Sequence, residues 1–195
     1  MKSAADCWDD SGSTRHTVML RDSTHNLSCR LIPVPSGRAY RVASPPSNAR
    51  VTRELADELS RALERFAVEA GFDDRRRVSI YFRLGIFGHH QLGRAADIYA
   101  VGGTGIDEWK RRWDEACRRA VLANDAATRQ IITKREPVTN LGWRLYKALQ
   151  LYGRWAQPYG FPIQLFGPWT RSEGPWKHIS DRLLRAHLDH IHVAK

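Results

Sequence analysis

The run Val78-Ser-Ile-Tyr-Phe-Arg83 begins the stretch of sequence, near the middle of the chain, from which the fold is predicted. Its β-branched and aromatic residues predict a strand. A glycine-containing loop over Leu84–Gly93 leads to a second predicted strand near Ala96–Val101. We therefore expect a pair of strands whose connecting loop carries two adjacent histidines, His89 and His90.

Helices are predicted on both sides of this pair of strands. From Thr52 onward, apolar residues recur on one face at a spacing of about 3.6, and Gly71 provides a stop. Further elements are predicted as helices from Ile106 to about Asn124 and over Leu141–Trp155, a strand at Ile163–Phe166, a helical turn around Ser180–Ala186 and a last strand through His190–Val193. Because helices and strands mix without strict βαβ alternation, the predicted class is α+β.

The first 50 residues differ in character from the remainder of the chain. Short β-like pieces at Thr17–Leu20 and Leu27–Val34 are separated by prolines and glycines, which favour turns. We predict a turn-rich lead-in over residues 1–50, either separate from or part of the same domain, and a main domain over residues 51–195.

The composition limits the classes of partner. The 195 residues carry a formal charge of +10, which suits an anionic partner such as nucleic acid, lipid head groups or an acidic wall polymer, or simply a basic surface. No apolar run approaches the roughly 18 residues of a membrane span, so we expect no membrane insertion. No RNA-recognition motif or helix-turn-helix pattern is present, which makes nucleic acid an unfavoured partner. Met1–Asp10 lack the apolar region of a secretory signal.

The histidines are the most informative residues. Six of the eight fall in two clusters near predicted strand ends: His89 and His90, then His178, His187, His190 and His192. His190 and His192 are two residues apart in a predicted strand, so their side chains point to the same face of the sheet.

A metal site can be assembled from these clusters. Asp97 follows His90 by seven residues, and the intervening Gly93 allows a tight turn. His90, Asp97 and a histidine of the last strand would supply two nitrogens and one oxygen. Such a set, with a fourth position open to water, is what a catalytic zinc site requires.

The same stretches resemble the D-alanyl-D-alanine metallopeptidase superfamily, which includes zinc DD-carboxypeptidases, D-Ala-D-Ala dipeptidases and phage endolysins, with Hedgehog amino-terminal domains as structural relatives. Its signature is S-x-H-x-x-G-x-A-x-D-[IL], followed far downstream by an acidic residue three positions before a final His. His90, Gly93, Ala95, Asp97 and Ile98 match the first part. The serine of the signature is Gly88 in this chain. The second part is met by Asp189-His-Ile-His192.

The resemblance implies a role for each matched residue. His90, Asp97 and His192 are the implied ligands of one zinc ion, and Asp189 is the implied general base and acid. Most members place Glu at that position and some place Asp. His190 is the competing candidate, because related peptidases with an HxH pair use the first His to hold water or stabilise developing charge. We favour Asp189 as the base with His190 assisting.

Arg83 and the aromatic residues are candidates for contact with substrate. In carboxypeptidase-like members an Arg in this region binds the terminal carboxylate of the substrate, whereas an ordinary solvated Arg at a strand end is the equal alternative. Most of the many aromatic residues between positions 143 and 176 are expected in the core. Trp169 and Trp176 are the exceptions, as candidate walls of a substrate groove.

The resemblance therefore implies a small antiparallel sheet that carries a zinc site and is flanked by helices. It also implies hydrolysis of D-amino-acid-containing peptide bonds of peptidoglycan, which would place the protein outside the cytoplasm. Two alternatives stay open. The first is a zinc-binding recognition module of the same fold without catalysis, as in the Hedgehog relatives, and the second is a basic nucleic-acid-binding protein.

Overall fold

A computed structural model of the chain describes residues 19–21, 28–43, 50–83, 88–123, 125–155, 164–170 and 179–195. The strands are β1 (Met19–Arg21), β2 (Ser28–Arg30), β3 (Ile32–Pro33), β4 (Tyr40–Val42), β5 (Arg50–Val51), β6 (Val78–Arg83), β7 (Ala95–Val101), β8 (Thr104–Gly105), β9 (Gln164–Phe166) and β10 (Ile191–Ala194). The helices are α1 (Arg53–Glu69), α2 (Ile106–Leu122), α3 (Ala126–Thr139), α4 (Leu141–Trp155) and α5 (Asp181–Arg185). Helices and strands are mixed, which confirms the α+β class.

The main sheet has six strands, in the order β4-β6-β7-β10-β9, with β8 paired to β7. All its pairs are antiparallel except β4 with β6, which are parallel. The sheet is therefore antiparallel, as the resemblance implied, except at the edge formed by β4. Strand β4 has three residues and lies within the turn-rich lead-in predicted over residues 1–50.

Strand β4 also joins the first part of the chain to the core. Tyr40 is fully buried, and its hydroxyl donates a hydrogen bond to the carbonyl of Pro35 at 2.9 Å. Val34 and Ala39 are buried in the same apolar cluster as the helices and the main sheet. Residues 34–42 therefore pack as part of the structure that carries the site. Two shorter pairs, β1 with β2 and β3 with β5, lie outside the main sheet.

The two faces of the main sheet have different roles. Ile80, Ile98 and Ile191 belong to one face and are fully buried in the core with the apolar sides of α1 and α4. Their neighbours in the strands point the other way, because side chains alternate across a strand. Asp97 and His192 are among these neighbours, so the second face carries the candidate site.

The predicted bounds of α1, β6 and β10 agree closely with the structure. Helix α1 begins after Thr52, whose hydroxyl accepts a hydrogen bond from the Leu55 amide, and Gly71 follows it at a φ of 85°. Strand β6 has the predicted bounds, whereas β10 begins one residue later than expected, at Ile191.

The prediction of helices was incomplete, and the prediction for Trp169 was wrong. Helix α3 was not predicted, because its sequence lacks a regular apolar stripe and contains Pro137. Trp169 is fully buried, so it is a core residue and not a groove wall. It packs against the rings of Trp143 and Tyr146. Trp176, the other candidate wall, lies outside the described residues, and so does the predicted start of β9 at Ile163.

Within the described part of the chain, no helix combines the length and the apolar character needed to cross a membrane.

Candidate metal centre

Three strands bring the candidate residues into one row. Asp97 of β7 is paired in register with Arg83 of β6 on one side and with His192 of β10 on the other. His192 is paired in turn with Phe166 of β9, and the two rings stack at 5.8 Å between centroids. Cross-strand partners point to the same face of a sheet, so this register brings Asp97 and His192 into contact.

The third donor, His90, comes from the loop before β7. A single 3-10 turn covers Gly88–His90, and the loop closes when the Gly93 amide donates to the His90 carbonyl at 3.0 Å. Gly93 has a φ of 64°, which is readily adopted by glycine. It also lies against the backbone of Thr52 and the side chain of Leu31, with no room for a side chain of its own. His89 is exposed, whereas His90 is partly buried beside Asp97.

The distances among these side chains suit one metal ion. Nε2 of His90 lies 3.4 Å from Oδ1 of Asp97, and Nδ1 of His192 lies 2.9 Å from the same oxygen. One ligand atom from each residue lies within 4.8 Å of the other two. Two donors bound at about 2.1 Å to one tetrahedral zinc ion are about 3.4 Å apart. The three residues could therefore hold a metal ion with little rearrangement.

Asp97 has the charge that a metal ligand needs. Burial pushes the pKa of this carboxyl upward, but hydrogen bonds with His192 and His90 outweigh burial and hold the pKa far below its usual range. The side chain is thus ionised at any physiological pH while buried. A buried carboxylate among imidazoles is a common arrangement for binding a transition-metal ion.

Asp189, His190 and Arg83 form a second group beside the three donors. Nη1 of Arg83 donates to Oδ2 of Asp189 at 2.9 Å, and Oδ1 of Asp189 lies 2.7 Å from Nδ1 of His190. Nε2 of His190 lies 3.5 Å from Oδ1 of Asp97. The structure therefore brings all three predicted residues next to the metal donors.

Two groups lie beside Nδ1 of His190, and they require opposite protonation states of this nitrogen. The carboxylate of Asp189 only accepts a hydrogen bond, whereas Nη2 of Arg83, at 2.6 Å, only donates one. A single ring nitrogen cannot satisfy both, so the proton on His190 depends on which neighbour is engaged. The tautomer of His190 therefore decides which of the two contacts is a hydrogen bond.

The environments of these two residues differ. His190 is buried, and burial lowers its pKa despite the hydrogen bond with Asp189. The side chain of Asp189 is 58% exposed. Burial pushes the pKa of Asp189 upward, but hydrogen bonds with His190 and Arg83 outweigh this and leave it below its usual value. At neutral pH the pair therefore consists of a charged carboxylate and a neutral imidazole.

His187, a member of the second histidine cluster, also lies at this site. Its ring lies 4.8 Å from that of His190 and 5.2 Å from that of His192, between centroids. Nδ1 lies 2.7 Å from the carbonyl of Leu183, which makes Nδ1 the protonated nitrogen and leaves Nε2 as an acceptor. Burial lowers its pKa, so the ring is neutral at physiological pH. Its place three residues before His190 was the only sequence signal. His178 lies outside the described residues.

An open cleft adjoins the centre. It has a volume of about 440 Å³ and is lined by Arg83, Tyr99, Gly105, Asp107 and Asp189. A larger cavity of about 780 Å³ lies along α1, but none of its lining residues is one of the metal donors or a member of the Asp189 group. Of these two cavities, the smaller one adjoins the metal donors, through Arg83 and Asp189 in its lining.

Comparison of the chain with protein-family models, curated proteins and solved structures gives no match.

Proposed function

We propose that this protein is a zinc-dependent peptidase that hydrolyses D-amino-acid-containing peptide bonds of peptidoglycan. The observation that carries the proposal is the meeting of His90, Asp97 and His192 beside the pair of Asp189 and His190, at the edge of an open cleft. A metal site with an adjacent group that can accept a proton is the arrangement that hydrolysis requires.

Zinc is the metal that this donor set and its surroundings favour. Two imidazoles and one carboxylate suit both zinc and ferrous iron. The neighbouring pair of Asp189 and His190 could transfer protons during hydrolysis. Because zinc is a metal that activates water for hydrolysis, this pair favours zinc. When bound, zinc would supply Lewis-acid chemistry, lowering the pKa of water to about 7 and polarising a carbonyl group.

Asp189 is the proposed general base. Its carboxylate is ionised, exposed to the cleft side and in contact with His190. It would accept a proton from the attacking water and return one to the leaving amine. His190, neutral and buried beside it, would hold the water or stabilise the charge that develops on the carbonyl oxygen.

Arg83 is the proposed binding group for the substrate's terminal carboxylate. Its side chain is 40% exposed and lines the cleft while it donates to Asp189. Nη1 of Arg83 holds Asp189, Nη2 contacts His190 and Nε lies 3.7 Å from Asp97. A guanidinium has five N–H donors, so a substrate carboxylate would bind the second N–H groups of Nη1 and Nη2. The side chain would thus orient both the base and the substrate.

The substrate class rests on the likeness of two short stretches to the metallopeptidase superfamily and on the charge of the chain. The fold of that superfamily is likewise part of the proposal. A net charge of +10 favours attraction to bacterial walls, which carry carboxylates and often phosphodiesters.

The test is hydrolysis by the zinc-loaded chain. Purified peptidoglycan and its stem peptides would be incubated with the protein, and released D-alanine and new amino groups would be measured. We expect release that stops on removal of zinc by a chelator, returns on its addition and is lost in His90→Ala.

His89→Ala is the matched control, since His89 is adjacent in sequence but exposed. It should keep the activity. Zinc binding without cleavage of any wall peptide would contradict the peptidase and favour a recognition module of the same fold.

A further inference from the structure

The larger of the two cavities lies apart from the metal donors, along α1. Its volume of about 780 Å³ falls within the range of about 300–1,000 Å³ that is typical of sites for small molecules. One wall is formed by residues 35–38 and Tyr40, and the other by one face of α1, from Ser60 to Glu69. The proposed hydrolysis uses none of these residues.

Hydrogen bonds hold the first wall of this cavity in place. The Tyr40 hydroxyl donates to the carbonyl of Pro35 at 2.9 Å, and the Gly37 amide donates to the carbonyl of Tyr40 at 3.1 Å. The Ala39 amide donates to the carboxylate of Glu64 in α1 at 3.1 Å, which fixes this wall against the helix. Gly37 lies so close to Tyr40 and Glu64 that a side chain at position 37 would collide with both. The cavity is thus preformed, and a ligand could enter it with little further ordering of the protein.

The surface inside the cavity is mainly apolar. Most of it consists of carbon atoms, although five of the lining residues are charged, because long charged side chains present their methylene groups along such a surface. Pro35 on one wall and Val68 on the other are exposed. Covering this apolar surface with an apolar ligand would be favourable, since it removes carbon from contact with water.

The charges of the lining favour an anion. Three arginines and two glutamates line the cavity, which gives its lining a net charge of +1. Arg65 pairs with Glu69 at 2.7 Å, and Arg61 pairs with Glu58 at 2.8 Å. Among the residues that the structure describes, Arg38 has neither an ion pair nor a hydrogen bond through its side chain, and it is exposed. The cavity therefore combines an apolar surface with one guanidinium whose donors are available to a ligand.

We propose that this cavity is a binding site for an amphipathic anion, a molecule with an apolar body and one anionic head group. The body would lie against Pro35 and Val68, and the head group would bind the guanidinium of Arg38. Carboxylate and phosphate head groups share the chemistry required, because both accept two parallel hydrogen bonds from a guanidinium. The site is independent of the proposed hydrolysis, since α1 packs on the face of the main sheet opposite to the metal donors.

Four probes separate the contributions of the body and the head group. Decanoate and decyl phosphate carry the same apolar chain with the two candidate head groups. Decanol has the chain without the charge, and acetate has the carboxylate without the chain. Binding to the full chain would be measured by calorimetry below the micelle concentration of each probe. A chelator would keep zinc out of the solution, so that no anion is held at a metal ion.

We expect one saturable site per chain for at least one of the two decyl anions. Its affinity should exceed those of decanol and acetate by about tenfold or more, the size typical of a hydrogen bond to a charged group. Arg38→Gln should lower the affinity for this anion about tenfold, to that for decanol. Val68→Asp, which places a negative charge in the cavity, should weaken the binding of the anion at least as much. The anion that binds more tightly identifies the preferred head group.

Arg75→Gln is the matched control. It removes the same charge from an exposed arginine that does not line the cavity, so the affinity for the decyl anion should stay the same. A loss confined to Arg38→Gln then cannot come from the lower net charge of the chain. Urea unfolding of Arg38→Gln should match that of the wild type, because the exposed side chain of Arg38 holds no other described residue in place.

The outcomes that would overturn this site are specific to it. They are the absence of saturable binding of either decyl anion, binding of decanol or acetate as tight as that of the anion, and an unchanged affinity in Arg38→Gln. Hydrolysis of wall peptides plays no part in these measurements. The binding site and the proposed peptidase activity can therefore fail or succeed separately.

Discussion

Asp97 is the residue on which the candidate centre depends most. Oδ1 of this single carboxylate lies 2.9 Å from Nδ1 of His192, 3.4 Å from Nε2 of His90 and 3.5 Å from Nε2 of His190. Its negative charge draws three imidazoles to one point, and burial strengthens the interaction by excluding water. The three candidate metal donors and the pair of Asp189 and His190 therefore meet around one carboxylate.

The residues of this centre were predictable to different degrees. The motif around His90 and Asp97 and the short tail motif pointed to the three residues that could hold a metal ion in the structure. The contact of Arg83 with Asp189 could not be predicted, since these residues are 106 positions apart and meet only through the register of β6, β7 and β10.

The role of Asp189 leads to a kinetic prediction. Asp189→Asn keeps the shape of the side chain but removes the basic oxygen, so kcat for peptide hydrolysis should fall by about 10²- to 10⁴-fold. Zinc content should be unchanged, because Asp189 is not one of the three donors. Stopped assays of amine release together with metal analysis would measure both quantities.

Asp57→Asn serves as the control, since Asp57 is an exposed carboxylate of α1 and should be replaceable without effect. His190→Gln should lower kcat less than Asp189→Asn. The reverse order would identify His190 as the base.

Gly93 leads to a prediction about stability. Gly93→Ala would force a side chain into the left-handed region and against Leu31, so the free energy of unfolding should fall by about 2–4 kcal/mol. Gly103 has a φ of 81° with no atom near its Cβ position, and Gly103→Ala should cost only about 1 kcal/mol. Urea unfolding of both variants tests this, and equal losses would show that the contact with Leu31 is unimportant.

At the scale of elements, strand periodicity explains why the site is where it is. Alternate residues of β6, β7 and β10 are buried against α1 and α4, and the others form the opposite face. This division follows from the sequence alone once the strands are located. Helix α3 could not be located in the same way, because it has no regular apolar stripe. Strand β4 was missed because three residues are too few for a period to show.

The junction of α2 and α4 leads to a prediction at this scale. Asn140 is fully buried, donates to the carbonyl of Trp109 in α2 at 2.8 Å and accepts from the amide of Trp143 in α4 at 2.9 Å. Asn140 therefore caps α4 and also forms a hydrogen bond with α2. Asn140→Ala should therefore lower the free energy of unfolding by about 1–3 kcal/mol, because it leaves buried polar groups without partners.

Ser180→Ala is the comparison. Ser180 caps the short helix α5 by accepting from the Leu183 amide, but it is exposed. Its loss should cost at most about 1 kcal/mol, since water can replace the bond. Chemical denaturation measures both variants, and a cost for Asn140→Ala no larger than for Ser180→Ala would contradict the proposed link between helices.

For the whole molecule, charge and site give different kinds of information. The net charge of +10 first suggested nucleic acid as well as an acidic wall polymer. It cannot distinguish them, because any polyanion is attracted by the same field. The proposed choice of a wall substrate rests instead on the likeness of the stretches around His90 and His192 to the metallopeptidase superfamily. The charge is compatible with a wall substrate, and the site defines the chemistry proposed for it.

The most direct measurement is a zinc titration of the purified chain against a competing chelator, with His90→Ala, His192→Ala and the control His89→Ala. We predict one zinc ion per chain in the wild type and in His89→Ala. Affinity should be more than about 100-fold weaker when either ligand is removed, since changes in the outer shell alone cost 10- to 100-fold. A wild-type chain that binds no zinc, or ligand variants that bind it as tightly as His89→Ala, would contradict the assignment of the metal centre.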